Sequence, residues 1–306
     1  MTTSRKTGER CAGPMVVTAL QGSGSPSRRQ WVGSVLGMGL AATLGVAKAQ
    51  TTARKWAVWV VPQFRAEVIH RAWAPVLQRL SQVTGQSFAL TVAPSIPAFE
   101  KALLAGEPDL AYQNPYHQVM SRRAQGYVPL VRDKKELTGI LVVRRDDPIK
   151  APSELDQKTV AFPAPNAFGA SLWIRALLAE RDKVAIRPSY VKTHSAAYRS
   201  AASGLSAAAG GINLTFEEEP AEVRNALRIL METPGVPPHP LSAHPRVPVA
   251  LRDSARRALL SLAGETELRA PMGDIPWENL VAADYDRDYR PLEQFGLDKY
   301  VVKSEG

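Results

Sequence analysis

Residues 159–178, TVAFPAPNAFGASLWIRALL, carry the clearest chemical capability in this chain, and that capability is binding. The run reads as a buried strand, a proline-kinked turn and a helix whose first turn is uncharged. Such a helix start leaves backbone N–H groups without acceptors beside the positive end of the helix dipole. Together they suit a small anion. Neither a nucleophile nor a metal-ligand set lies near them.

Two other strand ends carry polar groups. Tyr112-Gln113-Asn114-Pro115-Tyr116-His117 follows a strand and opens a helix. Asn114 suits the N-cap and Pro115 the first helical position. The tyrosines and the amide could also wall a pocket. In Tyr190-Val191-Lys192-Thr193-His194-Ser195, Thr193 reads as the cap of the next helix. Its hydroxyl and the His194 imidazole could add donors to an anion cage.

The remaining candidates give no catalytic or metal site. His239 and His244 are five residues apart with prolines between them, a spacing that matches no zinc pattern. A structural role near a chain crossing is the first expectation for them, and pocket lining the second. Glu217-Glu218-Glu219 reads as an exposed helix start. Asp284-Tyr285-Asp286-Arg287-Asp288 has Tyr289 and Phe295 where a calcium loop needs glycine and glutamate. It reads as a solvated helix start instead. No G-x-S-x-G or phosphate-loop motif occurs. No catalytic residue, metal or cofactor is expected.

The elements that would position these residues alternate regularly. Strands are expected at 55–61, 87–92, 109–112, 127–132 and 138–145, and helices at 65–84, 97–105 and 115–125. A second series follows, with strands at 159–162, 188–191, 205–212 and 227–231 and helices at 168–181, 195–203 and 219–226. Gly85 and Gly106 stand at helix stops. Residues 234–248 hold six prolines, too many for a regular element. Helices at 252–262 and 282–295 close the chain, the last interrupted by Pro291. This alternation implies an α/β fold with a mainly parallel sheet in each of two units. The chain would cross between them near 139–145 and near 234–248. Ligands of open α/β sheets sit beyond strand carboxyl ends. The loops there are 62–65, 93–97, 113–116, 163–170 and 192–195.

The first 49 residues read as an export signal. A basic lead ends in Ser27-Arg28-Arg29-Gln30-Trp31, a weakly apolar Gly-rich run follows, and Ala47-Lys48-Ala49 is a small-x-small cleavage site before Gln50. The paired arginines favour the twin-arginine route. Met1 and Met15 are both possible initiators. The signal holds six basic residues and one acidic residue, so its removal lowers the formal net charge from +9 to +4. That modest charge, with no basic stripe among aromatics, argues against nucleic acid as a partner. The single cysteine, Cys11, lies in the signal, so the 257-residue mature chain has no disulfide or thiolate chemistry.

The whole mature chain resembles the periplasmic solute-binding proteins of phosphate/phosphite/phosphonate ABC transporters. The resemblance is carried by DLAYQNPYHQVM, LTGILVVRRDDPIKAPSELDQKTVAFPAPNAFGASL, YVKTHSAAYRSAASG and PPHPLSAHPRVP. It implies a type II periplasmic-binding fold, two doubly wound lobes joined by two crossovers with a ligand cleft between. Residues 50–139 and 246–306 would form one lobe and 140–245 the other. It also implies a periplasmic monomer without catalytic residues, whose partners are a small anionic ligand and an ABC permease.

Carried over by position, the ligand contacts fall on Phe64, Tyr112, Asn114, Tyr116, Asn166, Ala167, Phe168, Gly169 and His194, with Thr193 beside the last. The family usually has a hydroxyl-rich Ser/Thr-x-Ser-Gly at the second-lobe helix start, where this chain has Asn166-Ala167-Phe168-Gly169-Ala170-Ser171. Members that hold an aminoalkyl phosphonate use acidic residues near the strand at 205–212, where this chain has none. Both departures weaken the case for an aminophosphonate and leave open a smaller or more apolar oxyanion, or a different carboxylate-like ligand. Two rival readings keep the export signal: a ligand sensor for a sensor kinase, and an exported enzyme.

Overall fold

The computed structural model describes residues 54–262, 277 and 279–303. The export signal, its cleavage site and Cys11 lie outside the described residues.

Alternating hydrophobicity sets the first half. Strand β1 (Lys55–Val60) leads into helix α1 (Ala66–Thr84), then β2 (Ser87–Val92), α2 (Ile96–Leu104), β3 (Leu110–Tyr112), α3 (Pro115–Gln125) and β4 (Val128–Asp133). Helix α1 buries Ile69, Trp73, Val76, Leu77 and Leu80 at helical spacing. Each fully buried branched aliphatic side chain contributes roughly 1.5–3 kcal/mol. Gly85 ends the helix at φ 65°, a left-handed conformation that costs glycine little.

The second series is β5 (Gly139–Arg144), β6 (Thr159–Phe162), α4 (Trp173–Glu180), β7 (Arg187–Tyr190), α5 (His194–Ala202), β8 (Ala208–Ile212), α6 (Asn213–Glu217), α7 (Ala221–Ala226) and β9 (Leu227–Glu232). The chain closes with β10 (Leu241–Ala243), α8 (Val249–Leu262) and β11 (Leu280–Ala282). The strands form two sheets, ordered β11-β4-β10-β3-β1-β2 and β7-β6-β8-β5-β9. Both faces of the second sheet are covered. Leu141, Val143, Val160 and Phe162 pack with Ile174 and Leu178 of α4. Ile140, Val142 and Ala161 pack with Ala197 and Tyr198 of α5. Burial on both faces explains the unbroken apolar run GILVV.

The structure corrects several sequence expectations. The sheets are mixed, not mainly parallel: β10, β11 and β5 each pair antiparallel with their neighbours. The proline-rich stretch holds a regular element after all. Its proline-free triplet, Leu241–Ala243, pairs between β3 and β4 in the middle of the first sheet. Proline disrupts its own ladder position, so Pro240 and Pro245 bound this strand without preventing it. The expected helix at 168–181 opens as a wider turn, Phe168–Leu172, in which Trp173 N–H donates to Phe168 O. The expected helix at 219–226 begins after Pro220 as α7, and the short helix α6 before it was not expected. The expected final helix at 282–295 is two successive short helices after β11, a wide one at Tyr285–Tyr289 and a 3-10 one at Arg290–Phe295.

The two crossings are paired to each other. Leu137 N–H donates to Val236 O at 2.9 Å, and Val236 N–H to Leu137 O at 3.0 Å. The chain therefore leaves and re-enters the first sheet through one bridged pair of segments.

Candidate functional site

Five strand-end loops converge between the two sheets. From the first come Gln63 after β1, Ile96 before α2 and Asn114 after β3; from the second come residues 167–170 after β6 and His194 after β7. These residues line one cavity with Val61, Ile212 and His239. Its volume is about 10 Å³, room for roughly one water-sized group.

Asn114 spends its carbonyl as expected, its Oδ1 accepting from His117 N–H at 2.7 Å. Its Nδ2 donates across the gap to Asn166 O at 3.3 Å. Opposite, the wide turn at 168–172 supplies amides. Ser171 and Leu172 N–H both donate to Ala167 O, at 2.8 and 3.1 Å. The amides of Phe168, Gly169 and Ala170 precede these, where a helical turn offers no internal acceptor.

Glycines seat that turn. A Cβ on Gly210 would overlap the Ala170 carbonyl oxygen and lie 2.5 Å from the Phe162 ring. A Cβ on Gly139 would overlap the Gly169 carbonyl oxygen. Within β8 (AAGGI), Gly210 makes room for this turn, while a Cβ on Gly211 would overlap the Tyr198 ring of α5.

The cavity is electrically neutral apart from dipoles, and neither Lys nor Arg lines it. Burial lowers the His194 imidazole to about 4. Burial, with weaker effects of His194 and His117, lowers His239 to about 3. Both rings are therefore neutral at physiological pH. His194 Nδ1 lies 3.0 Å from Thr215 Oγ1. His239 stacks on Tyr112 with ring centroids 5.4 Å apart, and its Nδ1 is buried without a partner.

Of the ten residues singled out from the sequence, Asn114, Ala167, Phe168, Gly169 and His194 line the cavity. Phe64 and Thr193 line a separate groove of about 570 Å³, along with Arg65, Arg199 and Glu219. Thr193 also caps α5, accepting from Ala196 N–H at 3.1 Å. Tyr112, Tyr116 and Asn166 line neither. Tyr112 supports His239 from behind. Tyr116 donates its hydroxyl to Asp298 at 2.6 Å and stacks its ring on Phe168, centroids 6.3 Å apart.

The Asn166 side chain is fully engaged with protein. Nδ2 donates to both Glu100 carboxylate oxygens at 2.9 Å and to Val302 O at 2.8 Å, while Oδ1 accepts from Val302 N–H at 2.9 Å. Burial works to raise the Glu100 carboxyl, but His117 and Asn166 outweigh it and hold it below its usual range.

Two expectations outside the site also change. Glu219 is buried rather than exposed, and it accepts from Ser195 Oγ. Asp288 is buried between arginines rather than solvated. Val61, Gln63, Ile96, Ala170 and Ile212 were not singled out as contacts, and for His239 pocket lining was only the second expectation. Gln63 and Ile96 lie in loops already named as strand ends. His239 precedes β10 by two residues, so recognising that strand would have marked it. Among the described residues, no group of three or more His, Cys, Asp or Glu side chains is arranged to hold a metal. No helix among them is long and apolar enough to cross a membrane.

Comparison with known proteins agrees with this architecture. No curated protein matches the sequence. A methylphosphonate-bound protein from Prochlorococcus marinus superposes with a TM-score of 0.72 at 13% identity, covering 81% of this chain and 98% of that one. A binding protein component of a phosphonate ABC transporter from Pseudomonas aeruginosa gives 0.70 at 15% identity, covering 79% and 85%. A chloride-bound protein from Xanthomonas citri gives 0.66 at 16% identity, covering 80% and 98%. These likenesses establish the type II periplasmic-binding fold. The model of the family described as "ABC transporter, phosphonate, periplasmic substrate-binding protein" matches residues 58–289. By that match the chain belongs to the periplasmic substrate-binding proteins of phosphonate ABC transporters.

Proposed function

We propose that this chain captures a small oxyanion of the phosphonate, phosphite or phosphate class between its lobes and delivers it to the permease of an ABC importer. The observation that carries the reading is that the uncharged helix start at 168–170, Asn114, Gln63 and two neutral histidines line one cavity; a helix start leaves amides without internal acceptors. Hydrogen bonds from neutral donors to an oxyanion are charge-assisted and roughly twice as strong as neutral pairs. The lobes would divide at the bridged Leu137–Val236 pair, which leaves β10 with the first sheet, and hinge about it. A tetrahedral anion is larger than the cavity, so it enters as the lobes part. The protein would act in the periplasm after cleavage near Ala49–Gln50.

The apolar lining, Val61, Ile96, Ala167 and Ile212, together with the lack of any acidic side chain, favours a hydrogen or methyl substituent over an aminoalkyl one. Calorimetry on protein beginning at Gln50 tests this, with phosphate, phosphite, methylphosphonate and aminoethylphosphonate as titrants. Phosphite or methylphosphonate is expected to bind more tightly than aminoethylphosphonate. Heat from none of the four would discard the ligand class.

A further inference from the structure

We propose that Gln118 is a positioning residue for the ligand site: through Ser242 it fixes the register of β10, and with it the place of His239 in the cavity wall. The consequence for binding rests on the ligand reading above; the placement of His239 does not.

Strand β10 does little to specify its own register. It is three residues long, and Leu241, Ser242 and Ala243 are all buried. Main-chain ladders form in any register, and a slip of one residue turns every side chain to the opposite face. The ladder here is itself irregular, with a register shift against β4 between Leu241 and Ser242. Of the three side chains only Ser242 needs a particular partner, because a buried hydroxyl without one is costly.

Gln118 of α3 supplies that partner. It is fully buried, as are Gln113, Ser121 and Ser242. Gln118 Nε2 donates to Tyr127 O at 3.1 Å. A carbonyl only accepts, so this contact turns Gln118 Oε1 the other way. That oxygen accepts from Gln113 Nε2 at 2.8 Å and from Ser242 Oγ. Gln113 is oriented in turn, its Oε1 accepting from Ser121 Oγ at 3.1 Å. Reversing either amide would set two acceptors against each other, so the direction of every bond follows from the Tyr127 carbonyl.

The network reaches the cavity at two points. Gln118 N–H donates to Asn114 O at 3.0 Å, one helical turn from the cap residue that lines the cavity. Gln113 N–H donates to Pro240 O at 3.2 Å, which ties the end of β3 to the residue between His239 and β10. His239 stacks on Tyr112, and Tyr112 pairs with Leu241. A slip of β10 would therefore draw His239 off Tyr112 and out of the wall, while Asn114 stayed on its helix cap. Selection of one register is the best-attested use of a buried polar group.

The test combines proton NMR of the His239 ring, whose signal the Tyr112 stack shifts, with calorimetric titration of phosphite and methylphosphonate, on protein beginning at Gln50. Ser242→Ala strands no buried group, because Gln118 Oε1 keeps its Gln113 donor. It is expected to displace or split the His239 resonance and to weaken binding about tenfold. Gln118→Met leaves Gln113, Ser242 and the Tyr127 carbonyl without their partner, and is expected to do at least as much. Both changes act through one contact, so the double variant is expected to be no worse than Gln118→Met alone. Val184→Ala, a truncation in the core of the second sheet, is the control for lost stability and is expected to move neither readout.

Ser242→Ala with the parent resonance and the parent affinity overturns the proposal, and it decides the matter even if Gln118→Met does not fold. A shifted resonance with unchanged affinity overturns it as well, since β10 would then be placed without consequence for the ligand. So does a Val184→Ala variant that shifts both readouts equally. Lack of binding of either anion by the parent overturns the ligand reading instead, and the His239 resonance alone then decides whether Gln118 sets the register.

Discussion

Asp288 shows how one side chain ties a terminal turn to the sheet. Arg132 of β4 reaches its carboxylate at 3.0 Å, Arg287 reaches it at 2.7 Å, and Asp284 N–H donates to it at 2.8 Å. Burial works to raise this carboxyl, but the two arginines and the amide outweigh it, and the net value falls from 3.8 to about 2. A carboxyl depressed by folding stabilises the protein fully above its ordinary value and loses that contribution as pH falls through the folded one. The shift corresponds to about 2 kcal/mol. Asp288→Asn is therefore expected to destabilise by about this amount at neutral pH. Its urea midpoint should also fall less steeply than that of the parent between pH 4 and 2. Equal slopes for the two proteins would show that the buried ion pairs contribute nothing to acid sensitivity.

At the scale of elements, β8 seats the wide turn that lines the cavity. Gly210→Ala forces a methyl group into the Ala170 carbonyl and the Phe162 ring, neither of which can swing away. Overpacking of this kind costs about 1–3 kcal/mol. The displaced turn carries the cavity amides with it, so anion affinity is expected to fall as well. Gly235→Ala is the matched control. Its methyl group meets mainly the far end of the Glu136 side chain, which can rotate out of the way. Urea denaturation should show a loss for the first variant and a change within about 0.5 kcal/mol for the second.

The same turn shows what was legible beforehand. Elements with an internal pattern were readable: β2 and β6 have the expected limits, and α3 starts on its Asn114 cap and ends before Gly126. Elements defined by distant partners were not. Strand β10 is three residues long and exists because β3 and β4 flank it. The glycines of β8 read only as small residues, because what they accommodate, the turn at Gly210 and the Tyr198 ring at Gly211, is distant in the chain. Likewise Asn166 has the composition of a ligand contact, and its engagement by Glu100 and Val302, 66 and 136 residues away, leaves no local trace. His194 and Asn114 were readable because a strand end followed by a helix cap is a local signal.

Across the whole molecule, the lobes are held together by contacts the protein makes with itself. Asn166 clasps Glu100 and Val302, and Phe168 stacks on Tyr116. The segment at 297–302 reaches both sides, with Asp298 on Tyr116 and Arg123 of α3, and Lys299 and Tyr300 on Glu180 of α4. These links are unequal. The Glu180 and Lys299 side chains are mostly exposed, and solvent screens such pairs to little effect. Asn166 is buried, and truncating it strands the Glu100 carboxylate without one of its donors, a loss of about 1–3 kcal/mol. Asn166→Ala is therefore expected to shift the lobes toward an open form far more than Glu180→Gln does. Apparent affinity scales with the fraction of binding-competent protein. An opening cost of about 1.4 kcal/mol then weakens ligand binding by up to tenfold if closure limits it. Small-angle scattering should show Asn166→Ala larger than the parent without ligand and equally compact at saturating phosphite or methylphosphonate. If scattering and affinity both match the parent, Asn166 is a packing residue of the interface and closure is governed elsewhere. The bridged crossings at Leu137 and Val236 would then be the next place to look.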